Sequence, residues 1–389
     1  MTPGEGPTWE PGGIPRAPTP ILRVPTLFEP SSINGLTVPN RFVRSATWEG
    51  LALDDGSATP RLIGMMEELA VGEVGLIISG HAYVNRDGRG GPGQLGAYSD
   101  ALIPGLADMA GAVHAVGSRI ALQIAHAGIR AAPGPSGRGP AGPSTVHVDD
   151  GPLGRAMTGD ELTSVVRDFA AAALRAKTAG FDAVQIHAAH GFLLSEFLSP
   201  FFNKRTDEYG GNTKKRARLV LDVLEAVRKA VGRAFPVLIK LNSQDFLPGG
   251  LSVGGMVDTA QLLEAAGIDA IELSGGTFLS GKFSFSRTER AEPGQPEAYY
   301  EAAARAYKNK IEIPLILVGG IRTFDTAERL VKDGIADYIA LSRPLIREPR
   351  LVARWRAGDI GPATCVSDNG CFRPAREGKG IFCTVERDR

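Results

Sequence analysis

Eight times between Arg41 and Trp355 a short apolar run rich in β-branched residues is followed by a longer segment of helical period, and this alternation restricts the fold more than any other feature. The runs are RFVRSAT from 41, VGLIISGHAYV from 74, RIALQIAHA from 119, AVQIHAA from 183, VLIKLNSQD from 237, AIELSGG from 270, PLILVGG from 314 and DYIALSR from 337. The helical segments lie near 60–70, 103–117, 159–180, 214–232, 253–266, 296–310, 324–333 and 349–357. Stretches such as GLIIS and PLILV are apolar throughout, as parallel strands are when helices cover one face and a filled interior covers the other. Thr158-Gly159-Asp160-Glu161 reads as a capping box that opens the third helix. Gly180, Gly232, Gly267 and Gly334 each stand just before the next strand, where a left-handed residue ends a helix. Eight such βα units predict a (β/α)8 TIM barrel. A doubly wound sheet normally carries a Gly-x-Gly-x-x-Gly turn after its first strand, and SATWEGLAL has none.

One barrel domain over 27–360 is therefore expected, with a disordered leader over 1–26 and a tail over 361–389. The first 25 residues hold seven prolines and no apolar period. Forty-three basic side chains balance 43 acidic ones, so no net field favours nucleic acid or a membrane surface. No stretch approaches the roughly 20 apolar residues that cross a bilayer, and MTPGEGPTWEPGG lacks the plan of a signal peptide. Three cysteines, all after position 364, cannot frame a disulfide scaffold. A cytoplasmic protein is the expectation.

Four of the six histidines, His81, His126, His187 and His190, fall at the predicted carboxyl ends of strands two to four, the face from which barrel catalysis is launched. His187-Ala188-Ala189-His190 sets two imidazoles three residues apart at a strand end. That pair suits two N–H donors aimed at one carbonyl oxygen; it lacks the third ligand that a metal site needs. Gly319-Gly320 after strand seven and Ser342-Arg343 after strand eight form a phosphate cradle, at the loops where barrels commonly hold one. Lys240 and Gln123 point toward the same mouth, where their polar heads require partners.

With LFEPSSINGLTVPNR from 27, LQIAHAG, HAAHGFLLSEFLSPFFNKRTDEYGG from 187, VGGI and LSRPLI, the chain resembles the old yellow enzymes, flavin mononucleotide barrels that include ene-reductases and 2,4-dienoyl-CoA reductases. The resemblance implies bound FMN and NADH or NADPH as hydride donor. It implies that Gln123 meets the pyrimidine edge of the flavin and Lys240 its N1–C2 carbonyl side. Ser45, Ala46 and Thr47 would lie along O4 and N5 with Gly80 nearby, and Gly319, Gly320, Ser342 and Arg343 would hold the phosphate. His187 and His190 would donate to the substrate carbonyl. The implied reaction is ping-pong reduction of the C=C bond of an α,β-unsaturated carbonyl compound, in a homo-oligomer; the balanced charge adds the expectation of no nucleic-acid or membrane partner.

Three features depart from that pattern. Phe192 stands where the family places a tyrosine that protonates the α-carbon, so His81 or a water is expected to replace it. The tail CVSDNGCF…FC holds Cys365, Cys371 and Cys383, with Asp368 where a fourth thiolate of a cubane cluster would be, and reads as a vestigial motif with free thiols. The iron–sulfur branch continues into a second flavin and nucleotide domain, whereas this sequence stops at Arg389, so electron transfer between two such centres in one chain is not expected. Metal is not expected. The rival readings are a flavin-dependent desaturase or isomerase of a ketone, and a flavin-binding protein that does not turn over.

Overall fold

A computed structural model describes residues 1, 26–149, 151–288 and 297–385. Eight parallel strands close into a barrel: β1 (Phe42–Arg44), β2 (Leu76–Ile78), β3 (Arg119–Ala125), β4 (Ala183–Ala188), β5 (Val237–Asn242), β6 (Ala270–Ser274), β7 (Leu315–Val318) and β8 (Tyr338–Leu341). Each pairs with the next and β8 pairs with β1, so the sheet has no open edge. One helix of each βα unit covers the barrel: α1 (Pro60–Val71), α2 (Ile103–His114), α3 (Gly159–Thr178), α4 (Arg218–Val231), α5 (Val253–Ala265), α6 (Glu301–Lys308), α7 (Phe324–Lys332) and α8 (Leu351–Arg356), with shorter helical turns between them. The expected capping box at Thr158 and Glu161 is present, and the four helix-ending glycines all have positive φ. The leader expected over 1–26 falls largely on residues 2–25, outside the described residues.

The two faces of the strands explain why their sequences do not alternate. Val43, Ala121, Ala183, Leu238, Ala270 and Ile316 fill the interior, while Phe42, Leu122, Val184, Ile239, Ile271 and Leu317 pack outward under the helices. The run from 74 is not one strand, as expected, but two. β2 ends at Ile78, and Ala82–Tyr83 pairs separately with β3. The interruption falls where the Gly80 N–H turns to Glu49 Oε1, 2.8 Å away.

An element not expected from the sequence stops the amino-terminal end of the barrel. Ser31–Ile33 pairs antiparallel with Leu36–Val38. The turn residues Asn34 and Gly35 have φ of 45° and 79°, the left-handed pair that a two-residue hairpin requires. Ile33 and Val38 are fully buried in the interior layer. The bottom of the barrel is thus sealed by side chains, and its carboxyl-terminal mouth is left to open. Among the described residues no helix is long and apolar enough to cross a membrane.

Truncating the plug, Ile33→Ala, is expected to cost about 3 kcal/mol, because the barrel floor cannot collapse around the lost methyls. Removing the cap, Thr158→Ala, is expected to cost about 1 kcal/mol. Urea unfolding of both variants checks the order; a loss at Ile33 no larger than that at Thr158 contradicts the plug.

Candidate active site

The strands change character one pleat above the apolar layer. Two residues on from Ala121, Ala183, Leu238 and Ala270, the inward positions hold Gln123, Gln185, Lys240 and Glu272, all buried. These four groups cannot be left unpaired in a closed barrel, and they satisfy one another. Gln123 Nε2 donates to Gln185 Oε1 at 2.6 Å, and Gln185 Nε2 donates to Glu272 Oε2 at 2.8 Å. Glu272 Oε1 accepts from Lys240 Nζ at 2.9 Å and from Ser45 Oγ at 2.6 Å, while Lys240 also donates to Ser45 Oγ at 2.7 Å. Lys240 thereby uses two of its three N–H donors and keeps one for whatever lies above.

Above this floor opens a cavity of about 860 Å³. The loop after β1 is set by a buried ion pair, Arg44 to Glu49 at 2.9 Å, and brings Ser45, Ala46, Thr47 and Trp48 to its wall. The opposite side is a cluster of rings. His187 lies 5.2 Å from His190 and 4.5 Å from Phe192, and His81 meets Phe192 edge-on at 5.1 Å. Phe285 stacks on His190 at 4.7 Å, and His190 Nε2 lies 2.8 Å from Ser274 Oγ. Burial, aided by the positive charges of Arg130 and Lys240, holds His81 down at about 4 and keeps His187 and His190 well below the ordinary histidine range. All three are neutral imidazoles near pH 7. His187 Nδ1 is buried without a hydrogen-bond partner, an omission a native core rarely tolerates.

The far wall is built by β7, β8 and the tail. Gly319 and Gly320 have φ of 120° and 75°. A Cβ at either would stand 2.7 or 2.5 Å from the ring of Tyr300 or Tyr299, so the backbone there must stay bare. Thr47 Oγ1 and Ser342 Oγ lie 2.7 Å apart. Arg343 Nη1 donates to Arg287 O at 2.6 Å and Asn369 Oδ1 at 2.8 Å, which pins the tail against the loop after β6. The tail, expected as a vestige, supplies Ser367, Asn369, Phe372 and Arg376 to the cavity wall. Its three cysteines are free, and among the described residues no set of three ligands is arranged to hold a metal.

Of the site residues expected from sequence, Ser45, Ala46, Thr47, His81, Gln123, His187, His190, Lys240, Gly319, Gly320, Ser342 and Arg343 all line this one cavity. Gly80 does not belong to that lining. It is a glycine because a Cβ would strike the Glu49 carboxylate at 1.9 Å. His126, grouped with the others by its strand position, is buried, and its Nδ1 accepts from the Gly128 N–H at 3.1 Å. Sequence reasoning missed Gln185 and Glu272, although a charged residue two positions from a strand end in AIELSGG was the available signal. It also missed Arg130, whose loop carries no period, and Tyr299 and Tyr300, which fell inside the expected helix at 296–310 but stand just before its actual start at Glu301.

Residues 26–359 match the model of the NADH:flavin oxidoreductase / NADH oxidase family. The chain belongs to the old yellow enzyme family. It is 35% identical, over 90% of its length and 92% of the relative's, to a 4,4'-dithiodibutanoate disulfide reductase of Rhodococcus erythropolis. It is also 35% identical to an NADPH dehydrogenase of Bacillus licheniformis, over 83% of its own length and 91% of the relative's. The structure of a 2-naphthoyl-CoA reductase with 2-naphthoyl-CoA superposes with a TM-score of 0.85 at 28% identity, covering 93% of this chain and 57% of that one. This old yellow enzyme is an oxidoreductase that uses FMN and NAD(P)H on a small molecule. The cavity fits that cofactor: a spare lysine donor and an amide at the floor, and a bare diglycine beside two arginines, Arg322 and Arg343, at the far wall.

Glu272→Leu strands the Lys240 ammonium in the barrel and is expected to cost about 3–5 kcal/mol, because an unpaired buried charge is worse than none. The double variant Lys240→Met with Glu272→Leu is expected to recover most of that loss. Chemical denaturation of the two proteins checks it; a double variant less stable than the single one contradicts the pairing.

Proposed function

We propose that this old yellow enzyme reduces the C=C bond of α,β-unsaturated carbonyl compounds in two half-reactions at one site, and that His187 and His190 bind the carbonyl oxygen. The observation that carries this reading is the buried, partnerless Nδ1 of His187 beside a second neutral imidazole 5.2 Å away. FMN, when bound, would supply the hydride chemistry that links NADH or NADPH to the alkene. Gln123, Lys240, Ser45, Ala46 and Thr47 hold its ring system, and Gly319, Gly320, Ser342 and Arg343 hold its phosphate. Neutral imidazoles donate hydrogen bonds to an oxygen that gains charge during transfer, and do so without the desolvation cost of imidazolium.

Phe192 has no proton to give, so the α-carbon is protonated by another route. His81 lines the cavity against the edge of Phe192, and its pKa of about 4 leaves it neutral in the working range. A neutral imidazole is a poor acid on its own. It delivers a proton from one nitrogen while taking one from water at the other, which makes His81 a relay rather than a store.

A second reading has support in the same residue. Two-electron reduction of a disulfide by hydride breaks the S–S bond and gives one thiol and one thiolate (RSSR + H⁻ → RSH + RS⁻); no carbon needs a proton and no separate acid is required. Phe192 is no handicap to that reaction, and the Rhodococcus erythropolis relative is named for a disulfide reductase activity.

Stopped-flow absorbance at the flavin band separates these readings. The holoenzyme is reduced with NADH or NADPH and mixed anaerobically with cyclohexenone or with 4,4'-dithiodibutanoate. The ene-reductase reading predicts bleaching and then return of colour with the enone. His81→Phe is expected to slow that return on the order of 100-fold and leave the bleaching phase unchanged. Return with the disulfide alone favours the second reading, and wild-type return rates in His81→Phe remove the relay.

A further inference from the structure

The charge of the cavity is one-sided. Among the described residues Arg130, Lys240, Lys282, Arg322, Arg343 and Arg376 line it, and no aspartate or glutamate does, in a chain whose acidic and basic residues balance. Three of these cations have an account. Lys240 is paired with Glu272 in the floor. Arg322 and Arg343 follow β7 and β8, on the diglycine wall. Arg130 follows β3, which in a closed ring of eight strands stands opposite β7, so it does not belong to the phosphate wall.

Arg130 is also held in an unusual way. Its guanidinium lies over the ring of Phe278 at 4.7 Å and over that of Phe192 at 5.6 Å. These cation–π contacts position the guanidinium without giving its N–H groups an oxygen acceptor. Among the described residues its side chain has no hydrogen bond and no ion pair, although it is exposed to the cavity. The adjacent carboxyl, Glu196, feels the charge of Arg130 but makes no hydrogen bond or ion pair with it. Glu196 is fully buried, its Oε1 accepts from the Ile129 N–H at 2.9 Å, and burial lifts its pKa well above the usual carboxylate range, toward the neutral acid. A guanidinium with five donors in a plane, positioned and unmatched, is a two-pronged receptor for an oxyanion.

Phe192 ties this receptor to the histidines, since the same ring packs on His187 at 4.5 Å. Arg130 and His187 therefore flank one ring, 5.6 and 4.5 Å from its centre, within reach of one small ligand. Resting on the reductase reading above, we propose that the second substrate is a short unsaturated acid whose carboxylate is bound edge-on by Arg130 while its other carbonyl group lies on His187 and His190. The nicotinamide nucleotide also carries oxyanions; it gains nothing from Arg130 on this account.

Two probes of one shape test the assignment: monomethyl fumarate, which carries a carboxylate, and dimethyl fumarate, which does not. Their dissociation constants for the oxidised holoenzyme are read from the change in flavin absorbance, with no turnover required. The wild-type protein is expected to bind the monoester at least about 10-fold more tightly than the diester, the size of one charge-assisted pair. Arg130→Met is expected to abolish the preference, with diester binding kept within about twofold, and Arg130→Lys to retain part of it. Equal binding of the two esters by the wild type overturns the proposal, as does an equal loss of both in Arg130→Met. It is also overturned if Arg130→Met slows flavin reduction by NADH or NADPH and leaves monoester binding intact. If the monoester is preferred through Arg130 yet neither ester reoxidises the reduced enzyme, the carboxylate site stands and the alkene-reductase reading falls.

Discussion

The Glu272 carboxylate, fully buried in the barrel interior, is the constraint on which the site depends. An isolated ion there would cost several kcal/mol, so its position dictates what surrounds it. Lys240 and Ser45 take one oxygen and Gln185 the other, and Gln185 in turn orients Gln123. Five groups from five points along the chain are thereby fixed with respect to one another. The floor becomes a rigid polar plate whose spare donors face upward, and rigidity of this sort is what a cofactor site needs in order to bind without reorganising.

Around that plate the two sides of the mouth do different work. The side of β7 and β8 is bare backbone and cations, sealed by the tail through Arg343 and Asn369. The side of β2 to β4 is lined by aromatic rings, and burial there keeps three histidines neutral. A cation on the same side, Arg130, makes protonation of those imidazoles still less favourable. Donor capacity without charge is the result, which suits a reaction in which charge develops on the substrate and then leaves.

The sequence disclosed the barrel because burial on both faces leaves a plain mark, the unalternating apolar run, and because βα units repeat it eight times. It disclosed the site where polar residues break such runs at the carboxyl ends, as at His187 and Lys240. Glu272 lay in view in AIELSGG, yet its role depends on Lys240 being its neighbour in the sheet, and register is not written in one strand. The need for glycine at Gly80 was not legible, because the group it makes room for, the Glu49 carboxylate, comes from another loop. Arg130 and the tail were opaque because loops carry no period, and what they face is decided by packing across the mouth. The hairpin at 31–38 had a legible Asn-Gly turn, but nothing in its sequence says that the barrel would take it as a plug.

The claim that the Lys240–Glu272 pair sets the electrostatics beneath the cofactor is tested most directly by the reduction potential of bound FMN in two variants. Lys240→Met removes the cation and is predicted to make the potential more negative. Glu272→Gln removes the opposing charge, leaves Lys240 in place, and is predicted to make it more positive. Opposite shifts are the required result. Shifts of the same sign, or an unchanged potential in both variants with FMN still bound, would contradict the account.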